Sequence, residues 1–164
     1  MSVPITVVVR DAESFAASFD DAAFSESLFE GELESEEMCD EELDYQLRIL
    51  DALEAFQNQL PAGTREAIND FSDRVFWSWR EGKGRQTIDV PLESEGLDSS
   101  FGAETVRLLL STLGRIDWQG VEGAFQPNGD FETVAEFREY FDDWSSILER
   151  AAAAGHAVFV FVYP

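Results

Sequence analysis

The chain has 164 residues, of which 45% are hydrophobic and 13% aromatic, with 14 Phe and 4 Trp. That suffices for one domain with a single sizeable core and is too apolar for a disordered polypeptide. Thirty-four acidic residues against 11 basic ones give a formal net charge of −23. Such a chain lacks the basic footprint that direct nucleic-acid or anionic-membrane binding requires.

The segment Ile5-Thr6-Val7-Val8-Val9 predicts a first strand, because β-branched residues fit a pleated surface. Without a positively charged region ahead of its short apolar run, it reads as a strand and not a signal peptide. Asp11 is placed to cap a helix carrying Phe15 and Phe19, and a second short helix with Phe24, Leu28 and Phe29 is expected before Gly31. An amphipathic helix is expected at 41–60, its stripe formed by Leu43, Leu47, Leu50, Leu53, Phe56 and Leu60. Pro61-Ala62-Gly63 ends it. Thr64 offers an N-cap for a helix at 65–80 that buries Ile68, Phe71, Val75 and Trp79 and closes at Gly82-Lys83-Gly84.

Residues 86–92 alternate Ile88, Val90 and Leu92 with polar neighbours and predict a strand at a sheet edge, where Pro91 is tolerated. Helices are expected at 103–114, around Trp118 to Phe125, and at 132–154. The last should be capped by Asp130, striped by Val134, Phe137, Phe141, Trp144, Leu148 and Ala151, and terminated by Gly155. The closing run from His156 to Tyr163 is apolar on both faces, as in a central strand covered on both sides. These elements predict an α+β fold: one domain spanning 1–164, with a small sheet that includes the N- and C-terminal strands packed against several helices.

Charge is concentrated. Residues 11–47 contain 14 acids and no Lys or Arg, and so carry −14 of the net −23. The densest part holds Glu30, Glu32, Glu34, Glu36, Glu37, Asp40, Glu41, Glu42 and Asp44. As a helix it would span about 22 Å, with one charge per about 2.5 Å against one per roughly 1.7 Å in duplex DNA. Repulsion between acids four apart opposes that helix by about 0.2–0.5 kcal/mol per pair, while acids at 40–42 would suit the N-terminal end of the 41–60 helix. These nine residues are the candidate partner-binding set. Halophilic adaptation also produces acidic chains, but it should spread the acids over the whole surface.

Catalytic and cofactor motifs are not found. His156 is the sole histidine and reads as structural, and Cys39, the sole cysteine, lies among carboxylates that suppress thiolate formation. A His/Cys metal set and an Asp-x-Asp-x-Asp-Gly calcium loop are missing, as are a nucleophile elbow, a Walker A loop and a dinucleotide loop. Asp142 and Asp143 read as the exposed edge of a helix, and Trp77 as the more exposed of the Trp77/Trp79 pair. No catalytic residue, cofactor or metal ligand is therefore assigned.

The C-terminal third, with Glu136-Phe137-Arg138-Glu139-Tyr140-Phe141, then Ile147 to Ala152, then Gly155-His156-Ala157-Val158, resembles the YfbM-like family of small bacterial proteins. The resemblance covers about 40 residues and implies a single α+β domain. It implies no activity and no site residues.

The expectation from sequence is a non-catalytic acidic protein that neutralises a basic partner. A toxin met by its immunity protein, or a nucleic-acid-binding enzyme met by a nucleic-acid mimic, would be such a partner. With one cysteine and no apolar stretch long enough to cross a bilayer, a cytoplasmic location is expected. The rival readings are an enzyme or small-molecule binder with a carboxylate-lined cleft involving His156, and a housekeeping domain whose charge only maintains solubility.

Overall fold

The computed structural model describes residues 3–31 and 38–163, with side chains excepted at 38–42. Among the described residues, four strands form one sheet: β1 (Pro4–Arg10), β2 (Met38–Glu42), β3 (Leu97–Phe101) and β4 (Ala157–Val162), in the order β2-β1-β4-β3. Every neighbouring pair is antiparallel. The N- and C-terminal strands are the two inner strands, paired from Ile5↔Val162 to Arg10↔Ala157. The α+β fold expected from sequence is the fold observed.

The inner strands are buried on both faces because they are apolar on both. Ile5, Val7, Val9, Val158 and Val160 belong to the main core, whereas Val8, Ala157, Phe159 and Phe161 belong to a second, smaller core. The main core is completed by α3 (Leu43–Phe56), α4 (Ala62–Val75), α5 (Ala103–Gly114), α6 (Trp118–Ala124) and α7 (Val134–Ala154). Helix α7 places Phe137, Tyr140, Phe141, Trp144, Ile147, Leu148 and Ala151 inward. Its rings meet those of Phe56, Phe71, Phe76 and Phe131, with centroids 5.5–6.4 Å apart in tilted or edge-on geometry, as ring quadrupoles prefer. Gly155 ends α7 at φ 67°, a left-handed conformation that costs glycine nothing.

The opposite face is covered by α1 (Ala12–Ser18) and α2 (Asp21–Glu30). Asp11 caps α1 as expected, accepting from the Ser14 N–H at 3.0 Å, and Asp20 caps α2 through the Ala23 N–H at 2.9 Å. From these helices Phe15, Phe19 and Phe24 surround Phe159 and Phe161, with Phe24–Phe161 at 4.5 Å and Phe15–Phe159 at 4.6 Å.

Several boundaries differ from the sequence reading. The 41–60 helix begins at Leu43, because Met38–Glu42 pairs with β1 as a strand. Its buried face is Gln46, Ile49, Ala52, Leu53 and Phe56, and Leu47 is exposed. Pro61 and not Thr64 is the N-cap of α4, and the Thr64 hydroxyl instead accepts from the Asp117 N–H at 3.1 Å. Helix α4 stops at Val75, and Trp77–Trp79 form a separate 3-10 turn in which Trp79 is half-buried. The 86–92 segment forms no strand beyond an isolated Ile88↔Ser100 bridge, and β3 occupies the sheet edge in its place. Thr133, not Asp130, caps α7 by accepting from the Glu136 N–H at 3.2 Å, while Glu136 reaches back to the Glu132 N–H at 3.0 Å.

Phe161 sits at the centre of the second core. Phe161→Ala should cost about 3–5 kcal/mol, as buried Phe truncations do. Phe29→Ala, at a ring 95% exposed on α2, should change stability by less than about 0.5 kcal/mol. Chemical denaturation midpoints of the two variants check this contrast.

Candidate functional site

The acidic residues of α1 and α2 divide into those that build the layer and those that face solvent. Asp11 and Asp20 are helix caps, and the Asp11 carboxyl is held below its usual range by hydrogen bonds from the side chain and backbone of Ser14. Asp21 has a longer reach. Its Oδ1 accepts from the Ser94 hydroxyl at 2.5 Å and from the Tyr163 hydroxyl at 2.8 Å, and Ser94 Oγ accepts the Gly96 N–H at 3.1 Å. This polar knot ties α2 to the chain end that follows β4 and to the loop before β3.

Glu13, Glu26 and Glu30 are exposed, and none has an ion pair among the described residues. Beside Glu26 and Glu30, three and one positions away on the helix, stands Phe29. Phe29 is the most exposed of the large apolar side chains among the described residues, at 95%.

Of the nine candidate residues, Glu30 is thus exposed at the end of α2, while Glu32, Glu34, Glu36 and Glu37 lie outside the described residues. Asp40, Glu41 and Glu42 lie on β2, an edge strand, with Glu41 opposite Ile5 and Glu42 opposite Pro4. An extended backbone rises about 3.3 Å per residue, so the helical charge spacing compared with DNA does not apply at 38–42. Asp44 is in the first turn of α3 and pairs with Arg48 at 2.9 Å, which engages it within its own helix. Glu30 thus lies one turn from Glu26, an acid outside the candidate set, on exposed positions of α2, while Asp44 lies on α3, on the main-core side of the sheet.

Outside this layer, His156 lines a recess of about 400 Å³ with Val9, Arg150, Ala153 and Ala154. Among the described residues that lining contains no carboxylate, although His156 lies close enough to Asp11 to help hold its carboxyl below the usual range. Asp142 is exposed and pairs with Arg138 at 3.3 Å, as a surface helix edge does. Trp77 is half-buried, as is Trp79, and donates its indole N–H to Asp98 Oδ2 at 3.1 Å. No cluster of three or more His, Cys, Asp or Glu with metal-holding geometry occurs among the described residues, and no described helix is long and apolar enough to cross a membrane. No family model, curated protein or solved structure matches the chain.

Phe29 and the Asp21 knot were not singled out from sequence. The first needed the orientation of α2, and the second joins residues 21, 94 and 163, which only the fold brings together.

The knot carries a pH dependence. Burial, with the nearby Asp21 carboxylate adding to it, pushes the Tyr163 phenol from its ordinary 10 up to about 12. The fold prefers the neutral phenol, so its stabilising contribution is complete below pH 10 and is lost as pH rises through 12. Wild-type stability should fall more steeply across that window than the stability of Tyr163→Phe. Denaturant titrations of both proteins at pH 9.5, 10.5 and 11.5, within roughly that window, check it, and parallel curves would contradict it.

Proposed function

We propose that this protein is a non-catalytic binding protein that presents an acidic surface to a basic protein partner and neutralises it. An immunity protein facing a toxin, or a nucleic-acid mimic occupying the cleft of a nucleic-acid-binding enzyme, would work in this way. The observation that carries the proposal is the exposure of Glu13, Glu26, Glu30 and Phe29 on α1 and α2, without an ion pair to these acids among the described residues, on a base-free run that continues through Asp44. Long-range attraction would accelerate encounter and orient the partner, and burial of Phe29 would slow release.

The reading places no reaction on the protein and needs no cofactor. It also puts the protein in the cytoplasm of a bacterium, which agrees with the resemblance of residues 136–158 to the YfbM-like family and with the single cysteine.

The test replaces Glu13, Glu26, Glu30, Glu41 and Glu42 with Gln. Wild-type protein should retain a basic partner from native lysate at low salt and release it as salt is raised, whereas the five-Gln variant should fold normally and fail to retain that partner. Capture that is equal for the two proteins and insensitive to salt would overturn the proposal.

A further inference from the structure

The 11 bases of this chain are outnumbered threefold by acids, so an arginine without a carboxylate partner is unexpected. Two such arginines converge on one recess. It has a volume of about 170 Å³ and is lined by Asp70, Asp73 and Arg74 of α4, by Arg85, and by Leu108, Thr112 and Arg115 at the α5 side. Both of its carboxylates are already engaged. Asp73 pairs with Arg80 at 2.8 Å, and Asp70 pairs with Arg115 at 3.2 Å across the gap between the helices. Arg74 and Arg85 have no ion pair among the described residues, so they remain as the uncompensated charge of the recess.

Their mounting is firm. The Arg85 N–H donates to the Asp73 carbonyl at 2.7 Å, and the Lys83 and Gly84 N–H groups both donate to the Arg80 carbonyl. Gly84 is required at this turn, since a Cβ there would stand 2.0 Å from the Trp77 carbonyl oxygen. The Arg80 guanidinium is held by Asp73 and, at 3.2 Å, by Asn69. The backbone that presents Arg85 is thereby fixed beside the last turn of α4, which presents Arg74.

We propose that this recess is a binding site for a small oxyanion of the phosphate class, held by the guanidinium groups of Arg74 and Arg85. A guanidinium offers a planar fork of donors that matches two oxygens of one phosphate. The net charge of −23 does not forbid the site. At physiological ionic strength charges are screened over about 8 Å, so the local set decides, and here the ion pairs Asp73–Arg80 and Asp70–Arg115 leave two positive groups over. Leu108, 46% exposed, gives the rim an apolar edge on which an organic substituent of a phosphate ester can rest. The site is independent of the acidic surface, because α4 and α5 pack on the main-core face of the sheet while α1 and α2 cover the other.

The test is an amide NMR titration with inorganic phosphate, and in parallel with phenyl phosphate, at constant ionic strength. Saturable shifts are expected at Asp73, Arg74, Arg85 and Thr112. Arg74→Gln and Arg85→Gln should each weaken binding about tenfold or more, the loss of a charge-assisted hydrogen bond, while Arg138→Gln on α7 should leave it unchanged. Tighter binding of phenyl phosphate, reversed by Leu108→Ala, assigns the site to a phosphate ester, and equal binding assigns it to free phosphate. Shifts that do not saturate, that sodium chloride reproduces, or that both Gln variants retain at full affinity would overturn the proposal. Spectra of the free variants that superpose on wild type exclude misfolding as the cause of a loss.

Discussion

The apolar character of β1 and β4 on both of their faces is the constraint that organises the molecule. Val7 and Val160 point into one core while Val8 and Phe161 point into the other, and a strand pair of this kind is stable only when both sides are withdrawn from water. Five helices cover one side with a large aromatic core. The other side is covered by two short helices, chiefly through Phe15, Phe19 and Phe24, together with Val90, Leu92, Leu97 and Tyr163. Because α1 and α2 bury little beyond those rings, the rest of their surface is free to carry acid, and it does. Six of the acids, Asp11, Glu13, Asp20, Asp21, Glu26 and Glu30, lie in or cap this layer, which is fastened by aromatic contacts and by the Asp21 knot.

Much of this was legible in the sequence, for identifiable reasons. The first and last strands announce themselves by β-branched and aromatic runs. Asp11 and Gly155 mark helix ends by chemistry local to the chain, and α5, α6 and α7 follow their apolar periodicity. What was hidden depends on long-range partners. Strand β3 contains Ser99 and Ser100, buried polar residues that no hydrophobic pattern reveals. The Ser100 hydroxyl donates to the Val90 carbonyl at 2.9 Å and accepts the Val90 N–H at 2.8 Å, and this side chain adds to the two backbone bonds, Asp89 N–H to the Ser100 carbonyl at 3.0 Å and Ser100 N–H to the Thr87 carbonyl at 2.8 Å, that tie residues 87–90 to β3. The stripe of α3 was misread by one residue because Gln46 lies on its buried face, its amide donating to the Tyr140 hydroxyl at 3.4 Å. Of the candidate acidic surface, the concentration of charge was readable, whereas its division into caps, knot and free carboxylates was not.

Two electrostatic surfaces therefore lie on opposite sides of the sheet. On one, Glu13, Glu26, Glu30 and the ring of Phe29 are exposed, with no ion pair to them among the described residues. On the other, ion pairs neutralise the local acids and leave Arg74 and Arg85 facing a recess of small-molecule size. The separation by a full sheet keeps the two from cancelling, since screening confines each to its own neighbourhood.

The account requires α1 and α2 to be an integral layer and not an appendage that detaches in solution. Native-state amide hydrogen exchange reads this directly, because protection reports the free energy of opening for each segment. The amides of Phe24 to Gly31, whose helical bonds form only when the layer is folded, should be protected well above intrinsic rates, and Phe24→Ala should lower that protection together with that of Phe159 and Phe161. Exchange of α2 at intrinsic rates beside a protected β4 would contradict the account.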